Sequence, residues 1–239
     1  MDSEKSERAV RTMIEYALSI CSDPLFRSML FECLLLEDTE VLIKLRPSGD
    51  LEEFLAEKDP ILLYKYYRLH GLFVQAAQRM DQLSRAEDDV DILVRIEYLN
   101  RAVSSASAAC DVTTAGGVGV GGAGSEYQGG LIVGVRGGME EEYLVELEGK
   151  REIARFQLLA FEHLDQDYQD LESHRSKSRT PYSASQKKSM ETLSAVAVRL
   201  RLKLVGISEL FNEICLPYKV CIVSANTASL CLYRDSQST

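Results

Sequence analysis

Residues 61–108 read ILLYKYYRLHGLFVQAAQRMDQLSRAEDDVDILVRIEYLNRAVSSASA. Divided at Gly71 and at the acidic run 87–91, this stretch becomes three helical segments, each with one apolar and one charged face. The first carries Leu62, Leu63, Tyr66, Tyr67 and Leu69. The second carries Leu72, Phe73, Ala76, Ala77, Met80 and Leu83. The third carries Ile92, Leu93, Ile96, Leu99, Ala102 and Val103. Steps of three and four residues are the helical period. Three short antiparallel helices cannot bury those faces alone, so the flanking segments must supply more helices of the same kind.

Upstream, helical spacing predicts a helix over 6–22, where Val10, Met13, Ile14, Ala17, Leu18 and Cys21 recur in phase. Asp23-Pro24 then restarts the chain, because Asp accepts from the free N–H groups of a first turn and Pro has no N–H to leave unpaired. Helices are predicted over 24–36 and 39–45, the latter ending near Pro47-Ser48-Gly49. Asp50 with Glu53 has the form of a capping box for a helix to about Glu57. Asp59-Pro60 repeats the cap-plus-Pro device and opens the central stretch. The first 108 residues thus read as about seven helices with short links, the pattern of antiparallel helical hairpins.

Between 111 and 138 the composition changes, with eleven of the chain's fifteen Gly falling there. Glycine loses the most backbone entropy on folding and offers nothing to bury, so the segment reads as a disordered insertion. Helical patterning resumes at Met139 and is predicted to run to about Glu172, passing Gly149. A polar, basic loop spans 173–188. A long helix is predicted from about Gln186 to Ile214, Pro217 marks a boundary, and a last helix covers roughly 218–232. The organisation expected is a helical-repeat segment at 1–110, the glycine-rich insertion at 111–138, a second helical-repeat segment at 139–232 containing the basic loop, and a disordered tail at 233–239. The last helix ends with its apolar face uncovered, so the chain is expected to be a fragment of a longer scaffold.

Composition narrows the function. A net charge of −10 argues against a nucleic-acid backbone as direct partner and against a polybasic membrane anchor. No apolar run reaches membrane-spanning length, and the N-terminus MDSEKSER has no apolar core of a secretory signal. The six Cys form no C-x-x-C pair and read mostly as small buried hydrophobes of a reducing compartment. His70, His163 and His174 are not spaced as metal ligands.

The motifs that could carry chemistry are weak. Gly117, Gly119 and Gly122 match G-x-G-x-x-G, yet no strand precedes them and the match lies inside a glycine tract, so no cofactor is expected. Glu140–Glu142 sit where a helix starts, and Asp165, Asp167 and Asp170 read as a solvated face. His163 has neither a nucleophile nor a carboxylate placed beside it by the sequence. Cys215 and Cys221 flank Pro217 among apolar neighbours, which favours inert thiols. Tyr64, Tyr66 and Tyr67 with Lys65 and Arg68 could stack single-stranded nucleic acid, but their spacing favours core packing with hydroxyls at the rim. Thr180-Pro181 follows a basic run, so Thr180 is a candidate phosphosite that would meet Arg175, Lys177 and Arg179.

The stretch 63–106 resembles the C-terminal solenoid of the large inner-ring scaffold nucleoporin family, that of the 155-kDa nucleoporin. The resemblance rests on Leu63, Tyr66, Tyr67, Ala76, Ala77, Arg79, Leu83, Arg95, Glu97, Tyr98, Arg101 and Ala102. YLVELEGKREIARFQL at 143–158 is similar to the family's following helix. LRLKLVGISELFNEICLPYKVCIVSAN at 200–226 is similar to the next segment, through Leu210, Phe211, Glu213, Pro217 and Lys219. LFRSMLFECLLLEDTEVLIKL and LEEFLAE fit the preceding helices. Residues 1–239 show no counterpart of the family's N-terminal β-propeller, and the glycine insertion is expected to replace a shorter linker. The resemblance implies an all-α fold, an α-solenoid of antiparallel helical hairpins. It implies a non-enzymatic scaffold of the nuclear pore complex at the nuclear envelope, supporting pore assembly and nucleocytoplasmic transport. Its partners would be other nucleoporins, without cofactor, metal, membrane contact or direct nucleic acid. A different helical-repeat adaptor, of vesicle-coat or TPR type, is the alternative, although no 34-residue TPR period is visible. A nucleotide-binding enzyme using the glycine tract is a further alternative from another class.

Overall fold

A computed structural model describes residues 2–86, 90–115, 139–177 and 184–218. Its elements in order are α1 (Asp2–Ile20), α2 (Pro24–Glu37), α3 (Thr39–Ile43), α4 (Gly49–Lys58), α5 (Pro60–Leu69), α6 (Phe73–Ser84), α7 (Ile92–Ala115), α8 (Met139–Lys177), α9 (Ala184–Leu202) and α10 (Ile207–Glu209). A π-helical turn at Leu210–Cys215 follows α10 directly. The described residues contain no strand. The chain divides into two compact units, Met1–Gln82 with Asn100–Leu147, and Leu83–Leu99 with Glu148–Thr239.

In the first unit, the helix starts follow from side-chain caps. Asp23 Oδ1 accepts from the Leu25 N–H at 3.0 Å, Asp38 caps α3 through the Val41 N–H, and Asp59 caps α5 through the Ile61 and Leu62 N–H groups. The expected Asp50 capping box is corrected. Ser48 is the cap of α4, accepting from Leu51, and Asp50 lies inside the first turn, where its carboxylate pairs with Arg27. A serine at the extended position before Gly49 serves as well as an aspartate, so the helix begins two residues earlier than a cap at Asp50 would place it.

α5 ends in a Schellman motif. The Leu72 N–H donates to the Tyr67 carbonyl at 2.9 Å and the Gly71 N–H to the Arg68 carbonyl at 3.3 Å, with Gly71 at φ 72°. This left-handed residue turns the chain from α5 into α6. The core packs Phe31 of α2, Leu42, Ile43 and Leu45 around α3, Leu51, Phe54 and Leu55 of α4, and Leu62, Leu63 and Tyr66 of α5. Phe31 and Phe54 meet with ring centroids 5.5 Å apart. Leu69 departs from its predicted place on the apolar face and is exposed. Tyr66, expected to hold its hydroxyl at the rim, is wholly buried, with its ring 4.7 Å from that of His70.

In the second unit, the predicted long helix 186–214 is broken. α9 stops at Leu202, residues 203–206 are non-helical, and Gly206 precedes the short α10. One cluster gathers Ala160 and Leu164 of α8, Leu193 and Leu200 of α9, Val205, and Leu210, Ile214 and Cys215 of the π turn. Another joins Ile92 and Leu99 of α7 to Ala154 of α8. Leu93, predicted on the buried face of α7, is exposed.

Other predicted boundaries shift for one reason, which is that helices propagate beyond their apolar face once nucleated. α7 runs to Ala115, into the span predicted as insertion, and α8 runs to Lys177 past Gly149. α8 and α9 therefore take up residues 173–177 and 184–188 of the expected basic loop, and residues 178–183 lie outside the described residues. The remainder of the glycine insertion, Thr180, and the predicted last helix and tail also lie outside them.

The left-handed φ of Gly71 sets a first test. No atom would crowd a Cβ there, so any penalty is conformational. Gly71→Ala should destabilise the protein by about 1 kcal/mol in urea unfolding. A wild-type midpoint would show that the turn does not constrain α5.

Candidate functional site

The structure distributes the sequence-selected residues among three roles. Leu63, Tyr66, Ala76, Ala77 and Leu210 are buried, and Phe211 is half-buried against the second unit's core. The Tyr67 hydroxyl donates to Glu52 Oε2 at 3.1 Å, tying α5 to α4. Arg79 Nη2 donates to the Ala56 carbonyl at 3.0 Å. Glu97 and Pro217 are exposed, Tyr98 is half-buried, and the half-buried Arg101 stacks over Tyr64 at 6.0 Å.

Arg95 has the most demanding position. It follows Ile92 by three residues and precedes Leu99 by four, in phase with the buried face of α7, and is 2% exposed. Its guanidinium fork donates to four carbonyls. Nη1 reaches Ser84 at 2.7 Å and Ala86 at 2.8 Å, Nε reaches Val90 at 3.0 Å, and Nη2 reaches Leu202 at 2.8 Å. These carbonyls lie at the end of α6, before α7 and at the end of α9. Helix C-termini carry partial negative charge and unmatched acceptors, so a cation there satisfies both.

Gln157 was not anticipated. It is fully buried, and its side chain fills the break after α9. Nε2 donates to the Leu200 and Lys203 carbonyls, each at 2.6 Å, and Oε1 accepts from the Val205 N–H at 3.0 Å. The available signal was a polar residue in helical phase with Leu147, Ala154 and Leu164. Asp91 completes the junction. Oδ1 caps α7 through the Leu93 N–H at 3.0 Å, and Oδ2 accepts from Arg201 Nε at 2.6 Å.

In the first unit, Gly71, Leu72, Phe73, Val74 and Gln75 line a shallow groove together with Ala109 and Val112 of α7, with a volume of about 170 Å³. Arg68 stands over the Phe73 ring at 5.6 Å and reaches the Ser104 and Ser105 hydroxyls. The groove walls are mostly apolar, which suits an apolar side chain of a partner.

These arrangements hold backbone groups and present side chains. Asp91 has its carboxyl pKa lowered by the Leu93 N–H and by Arg201. Burial pushes the Cys215 thiol up, away from the reactive thiolate. Cys33, expected to be buried, is exposed. His163 does have a carboxylate beside it, since Nδ1 lies 3.3 Å from Asp167 Oδ2, but both groups are exposed on one face of α8. Among the described residues, no group of three or more His, Cys, Asp or Glu is placed to hold a metal ion, and no helix is long and apolar enough to cross a membrane.

Fold and side-chain roles together define a helical scaffold segment. The chain belongs to the family described as non-repetitive/WGA-negative nucleoporin C-terminal, which it matches over residues 2–222. It is therefore a nucleoporin segment, and its place is the nuclear pore complex of the nuclear envelope. Among solved structures it is similar to the Chaetomium thermophilum Nup170 CTD, with TM-score 0.55 and 21% identity over 84% of this chain and 30% of that one. The C. thermophilum Nup170 CTD–Nup145N complex gives TM-score 0.54 and 22% identity over 82% and 31%. Nup170 SOL of the same organism gives 0.53 and 22% over 86% and 23%. The chain thus spans a third or less of each. No curated protein sequence matches it significantly.

Two tests follow from the junction. Arg95→Met removes the donor to four carbonyls and should cost about 3 kcal/mol or more of stability in urea unfolding. Arg95→Lys should not restore it, because a single ammonium cannot reproduce the planar fork. A cost below about 1 kcal/mol for either variant would show that the fork is dispensable.

Because folding lowers the Asp91 pKa, ionised Asp91 stabilises the fold. That contribution is complete above the ordinary value of 3.8 and is lost as pH falls below it. Asp91→Ala should therefore lower the melting temperature at pH 7, through a cap contribution of about 1 kcal/mol. The gap from wild type should narrow as pH falls below about 4. A gap independent of pH would remove the charge from the explanation.

Proposed function

We propose that this chain acts as part of the inner-ring scaffold of the nuclear pore complex, without catalysis, supporting pore assembly and transport by holding segments of other nucleoporins. The family match carries the reading. The groove at the α5–α6 turn supplies a place for contact, because an amphipathic helix can insert one apolar anchor between Phe73 and Val112. The related C. thermophilum Nup170 CTD has been solved as a complex with Nup145N. That pairing supports another nucleoporin as the partner class, with a linker subunit the one expected for this chain. Phosphorylation of Thr180 would add charge beside Arg175, Lys177 and Arg179, making it a regulatory position for such binding.

The test is affinity purification of the tagged chain from its own cells, with bound nucleoporins quantified. Val112 is exposed, so Val112→Glu should leave the melting temperature unchanged. It should reduce recovery of a linker nucleoporin about ten-fold, as loss of a buried anchor does. Equal recovery with both chains would remove the groove from the account. Absence of nucleoporins from the wild-type sample would contradict the scaffold reading itself.

A further inference from the structure

We infer that the groove at the α5–α6 turn selects a partner helix that carries one carboxylate a turn away from its apolar anchor, and that Arg68 is the residue that binds this carboxylate. The inference rests on the groove reading above and adds the chemistry of the occupant. Arg68 stands beside the groove, its guanidinium carbon 5.6 Å from the centre of the Phe73 ring that forms part of the wall. Nη1 donates to Ser104 Oγ at 3.4 Å and to Ser105 Oγ at 3.3 Å on α7. Both acceptors are neutral. Among the described residues, no hydrogen bond or ion pair engages Nε or Nη2. The serines therefore hold one arm of the fork and leave the Nε–Nη2 edge, whose two parallel N–H groups match the two oxygens of a carboxylate.

Charge complementarity selects this occupant. The chain carries a net charge of −10, yet the approach to the groove along α5 is basic. Lys65 lies one turn before Arg68 and is exposed, and Arg101 of α7 stacks over Tyr64 at 6.0 Å. A carboxylate entering here meets cations, whereas an ammonium would be repelled. One carboxylate fits better than an acidic run, because the net negative charge of the chain opposes a polyanionic segment. Distance then fixes the spacing. Side chains three or four residues apart on a helix are neighbours at about 5–6 Å, which matches the separation of Arg68 from Phe73. An anchor seated against Phe73 therefore brings the side chain one turn away to Arg68. Single-stranded nucleic acid does not fit the same basic strip, because Tyr66 is buried and the Tyr67 hydroxyl is bound to Glu52, so their rings are not offered for stacking.

Selection of a peptide display library on the full 239-residue chain tests this, followed by Kd measurements on the selected peptides. Peptides that lose affinity for the neutral variant Val112→Gln are the ones that use the groove. Among these, Asp or Glu is expected three or four residues from an apolar anchor, and its replacement by Lys should weaken binding about ten-fold. Arg68→Glu should reverse the order, so that the Lys peptide binds more tightly than the acidic one. That reversal requires a folded chain, which separates recognition from the tie that Arg68 makes to α7. Arg68→Gln, which keeps a polar group near the serines, should bind the two peptides equally. Groove-dependent peptides without an acidic preference, or with the same preference in both Arg68 variants, would overturn the inference and leave the groove reading intact. A selection with no peptide sensitive to Val112→Gln would overturn both.

Discussion

A helix that ends inside a packed stack leaves carbonyl groups that water cannot reach, and a chain made of many short helices meets this difficulty repeatedly. In the second unit, Arg95 answers it at three places together, with one guanidinium bonded to carbonyls at the ends of α6 and α9 and just before α7. Gln157 does the same for the gap after α9, matching two acceptors and one donor with a single amide. A lysine or a hydrophobic residue of similar size could fill either space, but neither could supply the bonds. Helix starts are handled locally by Asp23, Asp38, Ser48, Asp59 and Asp91. The long-range bonds fall where local capping is unavailable, at helix C-termini.

This division explains what could be read from the chain. Caps are encoded by neighbours, so Asp23-Pro24 and Asp59-Pro60 located two helix starts to the residue, and Gly71 announced its turn. Apolar phase located most of the core. The break after α9 was not legible, because continuous helical spacing runs through residues 203–206 and the bonds that stabilise an open backbone there come from residues 43 to 48 positions away. Arg95 was visible only as one member of a resemblance; its burial depends on carbonyls as far away as Leu202. The groove was equally hidden, since Val112 fell where composition suggested that the helix had already ended.

Function follows from the same economy. Among the described residues, the buried side chains of Arg95 and Gln157 serve the backbone, and burial pushes the Cys215 thiol up, away from the thiolate. What remains for interaction is shape: an apolar groove beside a left-handed turn, and outward helix faces. This is what a nucleoporin scaffold segment requires.

The most direct measurement is the position of the endogenous protein in the cell, tagged at its own locus and imaged with a nuclear-envelope marker. The account predicts a punctate rim that coincides with pores and persists after soluble protein is washed from permeabilised cells. Diffuse cytosolic signal, or puncta on vesicles without a rim, would contradict it.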